Sequence, residues 1–203
     1  MIKSSIQVDH LMNKQNKYLI LKDQYCLANY CLVALREKDI QLIRKWRNDQ
    51  IGILRQKKPL SVSEQKKYYD NIIRQTFSQK KPESILFSFL FNNISIGYGG
   101  FVHIDWNSRR AELSFIVDTK RSKDKNIYEA DFSTFLTLIK QVAFNELNFN
   151  RIFTETYDIR PFHISVLEKS GFRLEGRLKE HTKISNMHID SLIHGFLVSQ
   201  FKN

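Results

Sequence analysis

Glycine and proline are scarce in this 203-residue chain, at 7 and 3, and cysteine appears only twice. So few breakers exclude a collagen-like or low-complexity chain. Fifteen Phe and 8 Tyr exclude a disordered one, because that much aromatic surface has to be buried. Cys26 and Cys31 cannot frame a fold of this length, and no His or Cys lies at ligand spacing from them. No metal is therefore expected, and both are read as reduced thiols of a cytoplasmic protein. Long apolar runs are also missing. The longest, Ile85 to Phe91, is one strand long, well short of the roughly 18 residues a membrane helix needs, so no membrane insertion is expected. The stretch from Met1 to Asn16 is polar and lacks the apolar centre of an export signal.

Acidic residues are outnumbered by basic ones, 21 to 32, for a net charge of +11. A surface of that sign favours nucleic acid, lipid headgroups or a polyphosphorylated small molecule, or is simply a solvated basic surface. The lysines fall in scattered pairs (Lys57-Lys58, Lys66-Lys67, Lys80-Lys81) and one cluster from Lys120 to Lys125. No recognition-helix motif and no aromatic and basic interleaving accompany them, so nucleic acid is not the expected partner.

Hydrophobic residues make up 42% of the chain, enough for one domain with a real core. Two short strands are predicted at Tyr18 to Leu21 and Cys31 to Leu35. From Asp39 a helical stripe sets Ile40, Ile43 and Trp46 on one side. Ser61 and Glu64 have capping-box spacing and open a second helix with Tyr69, Ile72, Ile73 and Phe77 inward. The period then drops to two. Ile85 to Phe91, a turn at Asn92-Asn93, Ile94 to Ile104, a turn at Asp105 to Ser108, and Arg110 to Val117 predict a three-stranded meander. A long helix follows from Ile127 to about Leu147, with Asn126 and Glu129 at capping-box spacing. Then come a strand (Arg151 to Thr156), a helix opened by Pro161 and ended by Gly171, and two strands (Phe172 to Glu180, Ser191 to Ser199). The fold class is α+β: a mixed, mostly antiparallel central sheet flanked by about four helices. Residues 1–30 form a leader and extra strand, and 31–203 the domain.

Three strings carry a resemblance to a known family: Leu35 to Asp39 running into Trp46-Arg-Asn-Asp49; Ile96-Gly-Tyr-Gly-Gly100 followed by Ala111 to Phe115; and Leu167-Glu-Lys-Ser-Gly-Phe172 followed by Glu175-Gly-Arg177. In this order and spacing they resemble the GNAT superfamily of acetyl-CoA-dependent N-acetyltransferases over roughly Leu32 to Ser199. The branch that looks most similar contains ribosomal-protein N-terminal acetyltransferases and amino-sugar N-acetyltransferases. The resemblance implies acetyl transfer from acetyl-CoA to a primary amine. A nucleotide-linked amino sugar is the first acceptor, a protein α-amino group the second, and a non-catalytic nucleic-acid-binding protein the rival outside the enzyme class. A homodimer is compatible with the sequence.

The resemblance also implies a site. Phosphates of the donor would meet the loop before the long helix, at Arg121, Ser122, Lys123, Lys125, Asn126 and Ile127. The family's glycines are absent from this loop. Either the lysines replace them in gripping phosphate or the phosphate nest is lost. The pantetheine arm would pair with the backbone of Phe115, Ile116 and Val117 where the sheet splays. Arg160 and His163 match positions that face the cofactor in the family; Arg160 could pair with a phosphate, and His163 is equally an ordinary surface histidine. The family's tyrosine acid is replaced by Leu167. Glu112 is the first choice of general base, with a buried ion pair to Arg47 or Arg109 as its structural alternative, and His103 and Glu155 are weaker choices. Trp46, Arg47, Asn48, Trp106 and Glu155 would recognise the acceptor; for Trp46 plain core packing competes. The acceptor pocket would be built by the first two helices, the His103 to Asn107 turn and the final hairpin.

Overall fold

The computed structural model describes residues 17–202, so the expected leader up to Asn16 lies outside the described residues. One eight-stranded sheet organises the chain in the order β1-β2-β3-β4-β5-β6-β8-β7. The strands are β1 (Gln24–Leu27), β2 (Tyr30–Ala34), β3 (Ile85–Phe91), β4 (Ile94–Asp105), β5 (Arg110–Val117), β6 (Arg151–Tyr157), β7 (Arg173–Ile184) and β8 (Met187–Leu197). All neighbours are antiparallel except β5 and β6. Helices α1 (Ile40–Asp49), α2 (Val62–Tyr68, extended by a π-helical stretch Tyr69–Ile73), α3 (Lys125–Gln141), α4 (Pro161–Lys169) and the short α5 (Val198–Phe201) complete the fold.

The α+β class, the meander and the helix order follow the sequence pattern, with local differences. Tyr18 to Leu21 is not a strand. Its Tyr18 is instead a core side chain whose hydroxyl accepts from Leu86 N (2.7 Å) and donates to Leu86 O (3.0 Å), and β1 begins only at Gln24. The Ser61–Glu64 capping box is present. Ile72 is exposed, however, while Tyr69, Ile73 and Phe77 are buried, because the π-helical stretch slows the rotation of the inward stripe. The cap of α3 is Asp124, not Asn126. The Asp124 carboxylate accepts from Asn126 N and Ile127 N at 2.9 and 3.0 Å, and Glu129 pairs with Lys169. The last hairpin is longer than expected and turns at Ser185-Asn186, both in the left-handed region, and the chain leaves it at Val198 as α5. Gly171 ends α4 at φ +91, a conformation glycine adopts without penalty.

Cys26 and Cys31 are joined in a disulfide, which corrects the expectation of reduced thiols. They stand directly opposite each other in the β1–β2 hairpin, so the turn itself brings the sulfurs together. Counting cysteines in a long chain misses such a pair, whereas their symmetry about Ala28-Asn29 would have found it. No helix among the described residues is long and apolar enough to cross a membrane.

What matters for the site is the parallel pair β5/β6. It is registered only at Arg110↔Arg151, Ala111↔Ile152 and Glu112↔Phe153. Beyond Glu112 the strands separate, and α3 and α4 cover the opening with Phe132, Phe135, Leu136 and His163.

Candidate active site

The split between β5 and β6 is a cleft of about 220 Å³. Its floor comes from Leu113, Ser114 and Phe115 on one strand and Thr154 to Tyr157 on the other. Ile53, Leu54 and Arg55, just after α1, and Arg160 and His163 at the start of α4 are also part of the lining. Of the parts expected to build the acceptor pocket, α1 contributes Arg47 to the cleft lining, whereas α2, the His103 to Asn107 turn and the final hairpin contribute nothing to it.

Glu112 is buried at the point where the strands part. Its Oε1 accepts from Arg55 Nη2 at 2.8 Å and its Oε2 lies 2.8 Å from His103 Nδ1. Arg55 Nη2 also reaches Glu155 Oε2 at 2.7 Å, so one guanidinium bridges two carboxylates across the cleft. Burial pulls the Arg55 pKa down, but Glu112 and Glu155 outweigh it and the net direction is up. The ion-pair partner of Glu112 is thus Arg55, neither Arg47 nor Arg109. A register shift in β4 between Val102 and Asp105 puts His103 at φ +49 and turns its ring toward Glu112. A carboxylate has about four acceptor positions, so Glu112 retains capacity for an amine proton. The largely exposed His103 offers that proton a way to solvent.

A second cluster gathers around His163. Tyr128 Oη lies 2.7 Å from His163 Nδ1, and Arg160 Nη2 lies 3.2 Å from Tyr128 Oη and 3.3 Å from His163 Nδ1. His163 is buried and stacked on Phe132 at 4.3 Å, which corrects the surface-histidine alternative. Burial, then the charge of Arg160, hold its pKa well below the ordinary histidine value. Burial raises the Tyr128 hydroxyl and lowers Arg160. Among the described residues no carboxylate pairs with Arg160 or Arg47. Arg47 is held by Gln56 Oε1 at 3.0 Å and by the Tyr98 hydroxyl.

The other expected site residues lie elsewhere. Trp46 is a core side chain donating from Nε1 to Asp118 Oδ2 at 2.8 Å. Asn48 is spent on the loop after α1, accepting from Leu60 N and Gln56 Nε2 and donating to Leu60 O. Trp106 donates to Pro82 O at 2.9 Å and packs on Phe149. Ile116 and Val117 are core side chains whose strand edge faces the opening. In the loop before α3, Arg121 is committed to Asp131, and Ser122 Oγ donates to Thr119 O. Lys123, Lys125, Asn126 and Ile127 are exposed.

Acetyl-CoA fits the cleft and meets resistance at the loop. The edge of β5 beyond Glu112 has no strand on it, and an extended amide-bearing arm can add there as a strand. The Thr154 hydroxyl, buried in the cleft wall, has no partner among the described residues, as expected of a group that serves a ligand. Phosphates find fewer donors. Asp118 Oδ1 takes the amides of Lys120 and Arg121, and Asp124 takes those of Asn126 and Ile127. Sequence reasoning missed Arg55, Tyr128 and Thr154. Arg55 sits in an aperiodic loop with no signal, whereas Tyr128 and Thr154 were visible only as part of a helix and a strand.

A sheet splayed at one parallel pair, with a carboxylate at the fork and helices over the opening, offers a slot for an extended acyl donor. The chain belongs to the GNAT acetyltransferase domain family, which matches residues 32–193. It is an N-acetyltransferase that takes its acyl group from acetyl-CoA. Among solved structures it is similar to spermidine N-acetyltransferase from Vibrio cholerae in complex with CoA and spermine, at TM-score 0.74 and 20% identity over 87% of this chain and 100% of that one. It is also similar to a dodecameric structure of the same Vibrio cholerae enzyme in an intermediate state, at TM-score 0.71 and 22% identity over 87% and 98%. No curated protein matches the sequence.

Proposed function

We propose that the acceptor is a primary amine on a molecule that also carries negative charge, with a nucleotide-linked amino sugar as the best fit. The observation that supports this is the charge of the cleft wall. Arg47, Arg55 and Arg160 face it against Glu112 and Glu155, and both carboxylates are already bridged by Arg55. Three guanidiniums against two carboxylates leave the cleft one net positive charge to attract an anion, and Arg suits a diphosphate because its donors are fixed in a fork. The Vibrio cholerae relatives are spermidine N-acetyltransferases, and a polycation of that kind would be repelled here. Glu112 removes the amine proton and passes it outward through His103. Lys123 and Lys125 supply charge to the donor's phosphates. Dependence on acetyl-CoA, rather than the cysteines, supports a cytoplasmic site of action, and the dodecamer of the relative supports an oligomer.

Initial rates of thiol release from acetyl-CoA, measured with a nucleoside-diphosphate amino sugar, spermidine and a peptide amine, test the acceptor. The sugar nucleotide is expected to be preferred by kcat/KM. Activity confined to spermidine or to the peptide overturns the assignment.

A further inference from the structure

Transfer of acetyl from a thioester releases a thiolate, and the cleft needs a proton source for it. Leu167, one turn beyond His163 on α4, is a fully buried aliphatic side chain with no proton to give. Arg160 and His163 line the cleft, and Tyr128, itself outside the lining, is within hydrogen-bond distance of both.

The hydrogen bonds of this cluster favour one arrangement of the protons. A guanidinium only donates, so the 3.3 Å contact of Arg160 Nη2 favours the tautomer in which His163 Nδ1 carries no proton. Tyr128 Oη therefore accepts from Arg160 and donates to Nδ1 at 2.7 Å, and the one ring proton of the neutral imidazole is on Nε2. That N–H meets no acceptor among the described residues, and its residue lines the cleft. Arg160 meanwhile carries a charge with no carboxylate opposite it among the described residues, an expensive arrangement for a group shielded from water. A transient anion at Tyr128 would give that charge a partner.

We infer that His163 hands its Nε2 proton to the departing sulfur while Tyr128 refills Nδ1, with Arg160 as counter-ion of the tyrosinate. This rests on the acetyltransferase reading. The amine lone pair attacks the thioester carbonyl carbon. The carbon–sulfur bond breaks with its electron pair on sulfur, sulfur takes the proton from Nε2, and Nδ1 takes the proton of Tyr128 Oη. The proton lost by the amine leaves through Glu112, and solvent restores Tyr128 before the next turnover. The other charged or titratable groups near the cluster are Asp131 on α3 and His194 on β8, the latter 3.3 Å from Glu168 of α4. His163 is thus a catalytic residue, and Tyr128 and Arg160 act through it.

The test uses the full chain, acetyl-CoA as donor and the preferred amine of the acceptor panel. Tyr128→Phe and His163→Gln are each expected to lower kcat by about 10²-fold, the ordinary worth of a positioned acid, with acetyl-CoA affinity by calorimetry within twofold of the parent. Arg160→Lys keeps the charge and is expected to retain far more kcat than Arg160→Gln. His163→Gln carries the test if Tyr128→Phe does not fold. A folded variant with parental kcat, or a fall in kcat matched by an equal loss of acetyl-CoA affinity, overturns the relay alone. A parent chain that neither binds acetyl-CoA nor releases thiol overturns the acetyltransferase reading, and the relay falls with it.

Discussion

Arg121 meets the fully buried carboxylate of Asp131 at two points, Nε to Oδ2 and Nη2 to Oδ1, both at 2.7 Å. Tyr30 adds a third donor to Oδ1 at 3.0 Å. The residue that heads the phosphate loop is therefore anchored inward, and the bond to Asp131 raises its pKa against the cost of burial. Arg121→Ala strands a buried carboxylate and is expected to cost about 3 kcal/mol. Asp131→Asn leaves a guanidinium that can turn to water, and should cost less. Urea unfolding of the two variants checks the order; equal losses would contradict it.

With Arg121 occupied, the proposed phosphate contacts rest on lysines. The Lys123→Ala, Lys125→Ala double variant is expected to bind acetyl-CoA about tenfold more weakly in low salt, at roughly 1 kcal/mol or less per exposed charge. The difference should shrink as salt is added. Calorimetric titration at two ionic strengths measures both, and an unchanged Kd removes these lysines from the site.

Arg55 bridges the two cleft carboxylates and offsets one of their two charges. Arg55→Ala frees them, so the preference should move toward cations. Spermidine KM is expected to fall at least tenfold while that for the sugar nucleotide rises. The acceptor panel repeated on this variant provides the check, and parallel changes for both acceptors would refute the charge argument.

His163 gives the fold a pH signature. Its folded pKa is depressed well below 6.5 by burial, so the folded state disfavours the protonated ring. The unfolded chain binds the extra proton as pH falls through 6.5. The stability linked to this group is complete above that value and is lost below it, at up to about 1.4 kcal/mol per pH unit until the folded pKa is reached. His163→Gln should flatten the slope between pH 6.5 and 5.5 relative to the parent, as read by denaturant midpoints.

The Cys26–Cys31 bond closes a very short loop, so a dithiol reductant is expected to cost at most about 2 kcal/mol in the chain-entropy account. A small drop in Tm with acetyl-CoA binding intact is the outcome to look for.

Much of the fold was legible because local rules agreed with the tertiary result. The Ser61 capping box, the Asn92-Asn93 turn, the alternating meander and Gly171 after α4 each act within a few residues, where spacing is enough. The candidate site was legible in part. Glu112 contacts His103 and is joined to Glu155 through Arg55, and Arg160 and His163 line the cleft. Trp46, Asn48 and Trp106 have the chemistry of a binding site but spend it on Asp118, Leu60 and Pro82.

The sequence by itself determined the class, the order of elements, the family and the strands that would part. Only the tertiary structure decided which charges meet. Arg55 reaches Glu112 across 57 positions and Glu155 across 100, and Tyr128 reaches His163 across 35. Periodicity reports which face of an element is buried, but a hydrogen bond needs two atoms within about 3 Å. That condition depends on how the sheet splays and how α3 and α4 close over it, which no local pattern records.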